Sequence, residues 1–164
     1  MVILLMGVSG SGKTTVGHLL AVRLGWEFAD ADDYHPAANV EKMRSGIPLT
    51  DADRAPWLET LRALIEGWIA RGKNAVLACS ALKRAYRENL RVGPEVQAVY
   101  LKGTSELLRR RLHERVGHFM TERMLESQLA TLEEPRDAVA VEVNCSPAEI
   151  VNEIRERLKL TKNS

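Results

Sequence analysis

Five short strand-like runs are spread along the chain, each with the length of a buried β-strand. They occupy 2–6, Glu27–Ala29, Ala75–Cys79, Val96–Leu101 and Ala138–Val143. The segments between these runs carry apolar residues at helical spacing. Strands that alternate with helices form a parallel sheet that helices cover on both faces. The pattern therefore predicts an α/β fold of the doubly wound type, built on a five-stranded parallel sheet.

The clearest helical stripe ends just before Gly72. Its apolar residues, which we expect in the core, are Trp57, Leu58, Leu61, Leu64, Ile65, Trp68 and Ile69. Where this helix starts is open, because residues 50–53 resemble a capping box while Pro56 would also suit a first turn. The other predicted helices follow Lys13 and cover 83–91, 104–115, 122–132 and 147–160.

Length and charge narrow the class of protein. A chain of 164 residues with 45% hydrophobic and 27% charged residues fits one globular domain. A net charge of +1 disfavours a dedicated nucleic-acid binder and favours a small substrate. Two cysteines far apart in sequence and no apolar stretch of about 20 residues favour a reduced, cytoplasmic protein without a membrane partner.

A phosphate-binding motif follows the first strand. Residues 7–14 read GVSGSGKT, the G-x-x-x-x-G-K-[ST] pattern in its required strand, loop and helix context. Glycines let backbone N–H groups turn inward around phosphate oxygens, and the following helix adds its positive end. Lys13 is expected to reach the β- and γ-phosphates and Thr14 to ligate Mg²⁺. The residues predicted to bind the nucleotide phosphates here are Gly7, Ser9, Gly10, Ser11, Gly12, Lys13, Thr14 and Thr15.

Two carboxylates follow the second strand. Asp30 and Asp32 stand at i, i+2 where that strand ends, so both are expected to project toward the crevice beyond the strand tips. The third strand ends in Ser80, without the acidic residue of a conventional Walker-B strand. We therefore assign Asp30 to the metal, directly or through water, and Asp32 to accepting the proton of an attacking hydroxyl. The alternative is that both are turn and helix-cap residues.

Arginines near the end of the 104–115 helix supply positive charge for phosphoryl transfer. Arg111 and Arg115 lie one helical turn apart, so one can stack on adenine while the other reaches the phosphates. Gly117 would be a hinge, and we expect a mobile lid at about 115–124. A second basic group includes Lys83 and Arg87, with either a substrate-binding or a solvated face as its role.

Together these blocks resemble the gluconokinase family, small P-loop carbohydrate kinases related to shikimate and adenylate kinases. Besides the phosphate loop and Asp30–Asp32, the resemblance rests on His35-Pro36, on 39–57 (NVEKMRSGIPLTDADRAPW), on 79–83 (CSALK) with Tyr86-Arg87, and on 100–103, 117–119 and 127–135. Thr14 stands where some members have Ser, and Ala31 where many have Gly. The resemblance implies a P-loop kinase fold and ATP- and Mg²⁺-dependent transfer to the 6-hydroxyl of D-gluconate. It also implies a homodimer.

Gluconate needs a cation for its carboxylate and polar partners for its hydroxyls. The acceptor-binding region is expected at about 30–57. Arg54 is the first choice for the carboxylate because its guanidinium can bind two oxygens, with Arg87 and Lys42 as rivals. Ser80, Lys83 and His35 are further substrate candidates. His118 is open between lid function and packing, and Gln128 between the substrate region and helix surface.

Three alternatives stay open at this stage. Another small-molecule kinase is possible, but a shikimate-type enzyme would carry a Gly-Gly turn after the third strand, and an adenylate-type enzyme a longer chain. A non-catalytic nucleotide switch would have no need for paired carboxylates, and the chain lacks the N-K-x-D element that reads guanine. Nucleic-acid binding through the arginines would show a steep salt dependence.

Overall fold

The computed structural model of the chain describes residues 1–114 and 122–161. Within them, five strands alternate with seven helices. The strands are β1 (Val2–Met6), β2 (Glu27–Asp30), β3 (Ala75–Ala78), β4 (Val96–Lys102) and β5 (Val139–Glu142). The helices are α1 (Lys13–Leu24), α2 (Ala37–Arg44), α3 (Asp51–Ala70), α4 (Arg84–Leu90), α5 (Ser105–Glu114), α6 (Glu122–Thr131) and α7 (Pro147–Arg157), and a 3₁₀ turn spans Ala31–Tyr34.

The five strands form one parallel sheet in the order β2-β3-β1-β4-β5. The central strand β1 pairs with β3 on one side, where Leu5 lies opposite Ala78, and with β4 on the other, where Met6 lies opposite Tyr100. Because all strands run the same way, the segments after β1, β2 and β3 meet at one edge of the sheet. Ligands of open α/β sheets bind at this edge. The predicted α/β fold with a five-stranded parallel sheet is confirmed.

Helices cover both faces of the sheet because alternate residues of its strands point to opposite sides. From β1, Val2, Leu4 and Met6 pack with the stripe of α3 in one cluster. Ile3 and Leu5 pack in a second cluster, which holds apolar residues of α1 and α7. The expected core residues of α3 lie in the first cluster or pack against it.

The start of α3 is set by a capping box. The Thr50 hydroxyl accepts from the Asp53 amide at 3.1 Å, and the Asp53 carboxylate accepts from the Thr50 amide at 2.9 Å. The helix therefore begins at Asp51 and runs through Pro56. Of the two starts that the sequence left open, the capping box is the observed one.

Helix α2 was not predicted from the sequence, and a turn at Asp30 and Asp32 was predicted only as the alternative to their roles at the metal and as the base. Helix α2 has only eight residues, and Asn39 alone among them is buried, so no apolar stripe marks it. The turn is stabilised by Asp30, whose carboxylate caps it. Asp32 therefore lies in this turn and not on a continuation of β2.

No helix within residues 1–114 and 122–161 combines the length and the apolar character that crossing a membrane requires.

Candidate active site

The phosphate loop connects β1 to α1 and forms a cradle of backbone donors. Gly10 and Gly12 have φ values of 84° and 92°, which residues with a side chain rarely adopt. Because α1 starts at Lys13, its first amides have no partner inside the helix. Ser11 Oγ is fully buried and has no hydrogen-bond partner within the described chain. The Ser11 hydroxyl, the amides at the start of α1 and the positive helix end fit a phosphate group.

Lys13 and Thr14 lie where the motif predicts. The Lys13 ammonium donates to the Val8 carbonyl at 3.1 Å, so it lies folded over its own loop. The Thr14 hydroxyl donates to Asp30 Oδ2 at 2.5 Å, and Asp30 Oδ1 accepts from the Asp32 amide at 3.0 Å. Asp30 is thus both a turn cap and the carboxylate beside the phosphate loop.

The Thr14 and Asp30 oxygens fit Mg²⁺. No group of three or more His, Cys, Asp or Glu within residues 1–114 and 122–161 could hold a metal ion. Mg²⁺ in nucleotide sites does not need such a group, because it keeps several waters and binds one or two protein oxygens together with phosphates. A hydroxyl and a carboxylate beside a phosphate cradle form a donor set of this type.

A cavity next to the loop gathers most of the predicted acceptor residues. Five of them line it, namely Asp32, His35, Arg54, Ser80 and Gln128, together with Ser9 and Lys13 of the phosphate loop. They come from the segments after β1, β2 and β3 and from α3 and α6, which the sheet topology brings to one edge. The phosphate loop and the predicted base Asp32 therefore share one cavity.

The cavity also has an apolar side that the sequence reasoning did not predict. Met43, Pro48, Leu49, Trp57, Leu82 and Met124 line it, together with Ser127 and Thr131. Trp57 is a core residue, as predicted, and it also lines the cavity. It is 2% exposed, and its indole N–H donates to the Ala31 carbonyl at 2.7 Å. No sequence signal distinguished this tryptophan from the rest of the core stripe.

His35 is a buried, neutral ring beside Asp32. Its side chain is 4% exposed and stacks on Trp57 with 4.3 Å between ring centroids. Burial and the nearby Arg54 charge lower its pKa from 6.5 to about 4. Asn39 Nδ2 is a donor only, so His35 Nδ1 accepts from it at 3.3 Å, and the proton of the neutral ring then lies on Nε2. Nε2 is 4.0 Å from Asp32 Oδ1.

Arg54 lines the cavity, and two hydrogen bonds fix the position of its guanidinium. Its Nη1 donates to the Leu49 carbonyl at 2.9 Å and to the Tyr86 hydroxyl at 3.3 Å. The Tyr86 hydroxyl in turn donates to Asp51 in a short hydrogen bond. Both bonds of Arg54 use one nitrogen of a group with five N–H donors, so the guanidinium keeps capacity for an acceptor carboxylate.

Two predicted substrate lysines lie outside the cavity lining. Lys42 donates to both oxygens of Asp53 at 3.0 and 2.9 Å. The Thr50 hydrogen bond and Lys42 together hold the pKa of Asp53 at about 2. Lys83 pairs with Asp51 at 2.9 Å. Both lysines therefore stabilise the α3 start, and this geometry does not support their expected contact with substrate.

Arg87 was expected to contact substrate, but it is buried and is not among the residues that line the cavity. It is 7% exposed, and its guanidinium donates to the carbonyls of Ala81, Leu82 and Glu133 at 2.9, 3.0 and 2.8 Å. A cation committed to three backbone carbonyls is a poor anchor for an acceptor carboxylate. This geometry does not support the expected direct contact of Arg87 with substrate, because its guanidinium contacts the backbone behind the cavity-lining residue Leu82.

A second cavity lies on the other side of the phosphate loop. Its lining includes Gly10, Gly12, Thr15 and Arg111, together with Cys145 of the β5–α7 connection and Pro147 at the start of α7. Arg111 donates to the Val143 carbonyl in a short hydrogen bond, which holds its guanidinium beside this cavity. The phosphate loop thus separates a site suited to a nucleotide from the acceptor cavity. The expected residues Arg115, Gly117 and His118 lie outside the described residues.

Neither cysteine is suited to nucleophilic chemistry. Cys79 lies at the end of β3, and burial raises its thiol pKa to about 12. Burial and the carboxylates of Glu149 and Glu153 also raise the pKa of Cys145. Both thiols are therefore protonated at neutral pH, and the thiolate is the nucleophilic form.

A phosphate loop at the switch point of a parallel sheet, with a carboxylate-bearing acceptor cavity beside it, defines a P-loop kinase. A family model described as an AAA domain matches residues 2–135. A probable gluconokinase of Xenopus tropicalis is 49% identical over 94% of this chain and 91% of its own length. A gluconokinase of Gluconobacter oxydans (strain 621H) is 53% identical over 82% of this chain and 76% of its own.

Solved structures agree with these sequence matches. The crystal structure of a gluconokinase from Sinorhizobium meliloti 1021 is 43% identical and superposes with a TM-score of 0.82, covering 96% of this chain and 94% of that one. The chain therefore belongs to the gluconokinase family, and it is an enzyme, an ATP-using carbohydrate kinase. The resemblance read from the sequence is confirmed.

Proposed function

We propose that this enzyme transfers the γ-phosphoryl group of ATP to the 6-hydroxyl of D-gluconate and forms 6-phospho-D-gluconate. The observation that carries the proposal is the single cavity lined by Lys13, Asp32 and Arg54. A phosphate-loop lysine, a carboxylate and an arginine beside one another match a γ-phosphate, a hydroxyl and a carboxylate of one acceptor. The names of the relatives support gluconate as that acceptor.

In the proposed mechanism, Asp32 accepts the proton of the 6-hydroxyl. The oxygen forms a bond to the γ-phosphorus while the bond between that phosphorus and the β–γ bridging oxygen breaks. Lys13 leaves the Val8 carbonyl and stabilises charge on the phosphate oxygens. The Asp32 side chain is 78% exposed, so it is accessible to a substrate hydroxyl. The His35 Nε2–H is suited to donate to an acceptor oxygen, and Arg54 to bind the gluconate carboxylate.

Thr14 and Asp30 would hold Mg²⁺, directly or through water. When bound, the ion neutralises developing charge on the phosphate oxygens. Gly7, Ser9, Gly10, Ser11, Gly12, Thr15 and Arg111 complete the proposed ATP site, and Ser80 and Gln128 the acceptor site. Gln128 Oε1 accepts from the Ser9 amide at 2.8 Å, which supports a position between the two. Arg115 and His118 stay proposals for the lid at about 115–124.

The remaining proposals rest on the sequence and the family. We expect one kinase domain over 1–164 that works in the cytoplasm as a homodimer, without nucleic-acid or membrane partners. Size-exclusion chromatography with light scattering measures the dimer, and a monomer at working concentration would contradict it.

A coupled assay of ADP formation tests the proposed reaction. Gluconate, shikimate, AMP and other aldonic acids are offered as acceptors at equal concentration. Gluconate should give the highest kcat/KM. Turnover with shikimate or AMP and none with gluconate would exclude the proposal.

A further inference from the structure

The turn after β3 contains a strained residue between two residues of the acceptor cavity. Ala81 has a φ of 44° and is 1% exposed. A residue with a Cβ atom adopts such a conformation at a steric cost, and it persists only where the surroundings hold it. Ser80 before it and Leu82 after it both line the cavity. The backbone conformation of Ala81 therefore determines how the side chains of Ser80 and Leu82 point into the acceptor cavity.

Arg87 supplies the contacts that hold this turn. Its Nη1 donates to the carbonyls of Ala81 and Leu82 at 2.9 and 3.0 Å, which belong to the two consecutive peptides that follow the strained residue. Its Nη2 donates to the Glu133 carbonyl at 2.8 Å, and the Glu133 amide donates to the Leu82 carbonyl at 2.9 Å. The guanidinium thus joins the turn to the segment that follows α6. Helix α6 supplies Gln128 to the same cavity.

The chemistry of this contact requires a guanidinium. Two different nitrogens of a planar group reach carbonyls of two separate segments, which a lysine ammonium at one point cannot do with the same geometry. The side chain is buried, and the carboxylates of Asp137 and Glu133 offset part of the cost of burying its charge. A buried cation with this arrangement is built into the wall and does not face the acceptor.

We propose that Arg87 is a positioning residue for the phosphoryl acceptor, which holds Ser80 at the acceptor cavity by fixing the Ala81 turn and joining it to the end of α6. The proposal rests on the proposed function for its assay substrate. It assigns no chemical step to Arg87 itself.

Arg87→Lys tests the proposal, with Arg84→Lys as the matched control on the same helix. The Arg84 side chain is 77% exposed and pairs with Glu88. Arg87→Lys should raise the gluconate KM about tenfold and leave the ATP KM within about twofold, while Arg84→Lys should match wild type. An unchanged gluconate KM, or an equal rise of both KM values, would overturn the proposal. Circular dichroism melting curves set an assay temperature at which every variant is folded.

A double-mutant cycle with Ser80→Ala distinguishes positioning from a general loss of structure. If Arg87 acts through Ser80, the double variant should have the gluconate KM of Ser80→Ala alone. Multiplied effects on KM would contradict this coupling. Should Arg87→Lys not fold, the same KM comparison is made in an Ala81→Gly background, because glycine adopts the positive φ without the steric cost. Both KM values rising together there, or neither changing, would again overturn the proposal.

The wild-type enzyme separates this proposal from the proposed function. If wild type does not phosphorylate gluconate, the proposed function fails. The variants are then compared with the acceptor of the panel that wild type does use. If wild type uses gluconate and the predicted KM pattern is absent, only the role of Arg87 fails.

Discussion

The Thr14 hydroxyl donates a hydrogen bond of 2.5 Å to Asp30 Oδ2 and thereby joins the phosphate loop to the end of β2. The two residues are 16 positions apart in sequence, and β3 lies in the sheet between β2, which ends at Asp30, and β1, which precedes the phosphate loop. They meet because parallel strands carry the segments that follow them to the same edge. Two oxygen atoms of the type that Mg²⁺ prefers therefore lie beside the phosphate cradle.

Asp30→Asn should weaken the response of the enzyme to Mg²⁺. The amide keeps the shape of the side chain but loses the charge that favours a cation, so the Mg²⁺ concentration for half-maximal rate should rise about tenfold or more. A Mg²⁺ titration at saturating ATP and gluconate measures this. Asp33→Asn, a change at an exposed neighbouring carboxylate, is the control. The same midpoint in Asp30→Asn and wild type would exclude Asp30 from the metal site.

Asp32→Asn should reduce kcat by a factor on the order of 10²–10⁴, because proton acceptance is lost while the shape is kept. Binding of ATP, measured by isothermal titration calorimetry, should not change. Asp33→Asn again provides the control, since it removes the adjacent carboxylate in the same 3₁₀ turn. Near-normal turnover in Asp32→Asn would reject the assignment of the base.

Arg54→Ala should raise the gluconate KM far more than the ATP KM. A hydrogen bond to a charged group is worth about 1.5–3 kcal/mol, so the gluconate KM should rise by about 10- to 100-fold. Arg62→Ala, on the same helix and paired with Glu66, should leave both KM values unchanged. Equal rises in the two KM values would show that Arg54 does not anchor the carboxylate.

Burial of His35 predicts a loss of stability in acid. Its pKa is about 4 in the folded chain against an ordinary value of 6.5. Between these pH values the unfolded chain binds a proton that the folded chain does not. The free energy of unfolding should therefore fall as pH drops from 6.5 to about 4.

Urea unfolding at several pH values measures the His35 contribution, with His35→Asn as the comparison. Carboxylates such as Asp53, whose pKa is about 2, contribute to both proteins alike. The variant should lose less stability than wild type between pH 6.5 and 4. Parallel curves for the two proteins over this interval would contradict the prediction.

The sequence predicted the sheet and the phosphate loop because both follow from local patterns. All five strands appear near their expected bounds, and the 7–14 motif fixes its own geometry. Helix α2 was missed because only Asn39 of its eight residues is buried. The first residue of α3 could not be decided from the sequence, because a capping box at 50–53 and a Pro56 in the first turn were both acceptable starts.

The residues of the acceptor site were harder to predict from the sequence, because the partner of each basic side chain depends on contacts between segments that are distant in sequence. Arg54, Arg87 and Lys42 all looked suited to the gluconate carboxylate, and Lys83 was a further substrate candidate. In the fold, Asp53 and Asp51 pair with the two lysines, and backbone carbonyls bind Arg87. Of these four side chains, only Arg54 lines the cavity. The apolar side of the cavity had no signal either, since Trp57 and Leu82 look like ordinary core residues.

Phosphorus NMR of the enzyme with ATP, Mg²⁺ and gluconate tests the central claim most directly. The γ-phosphate signal should disappear as a phosphomonoester signal coupled to the C6 protons of gluconate appears, and Asp32→Asn should slow both changes together. Release of inorganic phosphate in place of the ester, or a phosphomonoester at another carbon, would contradict it.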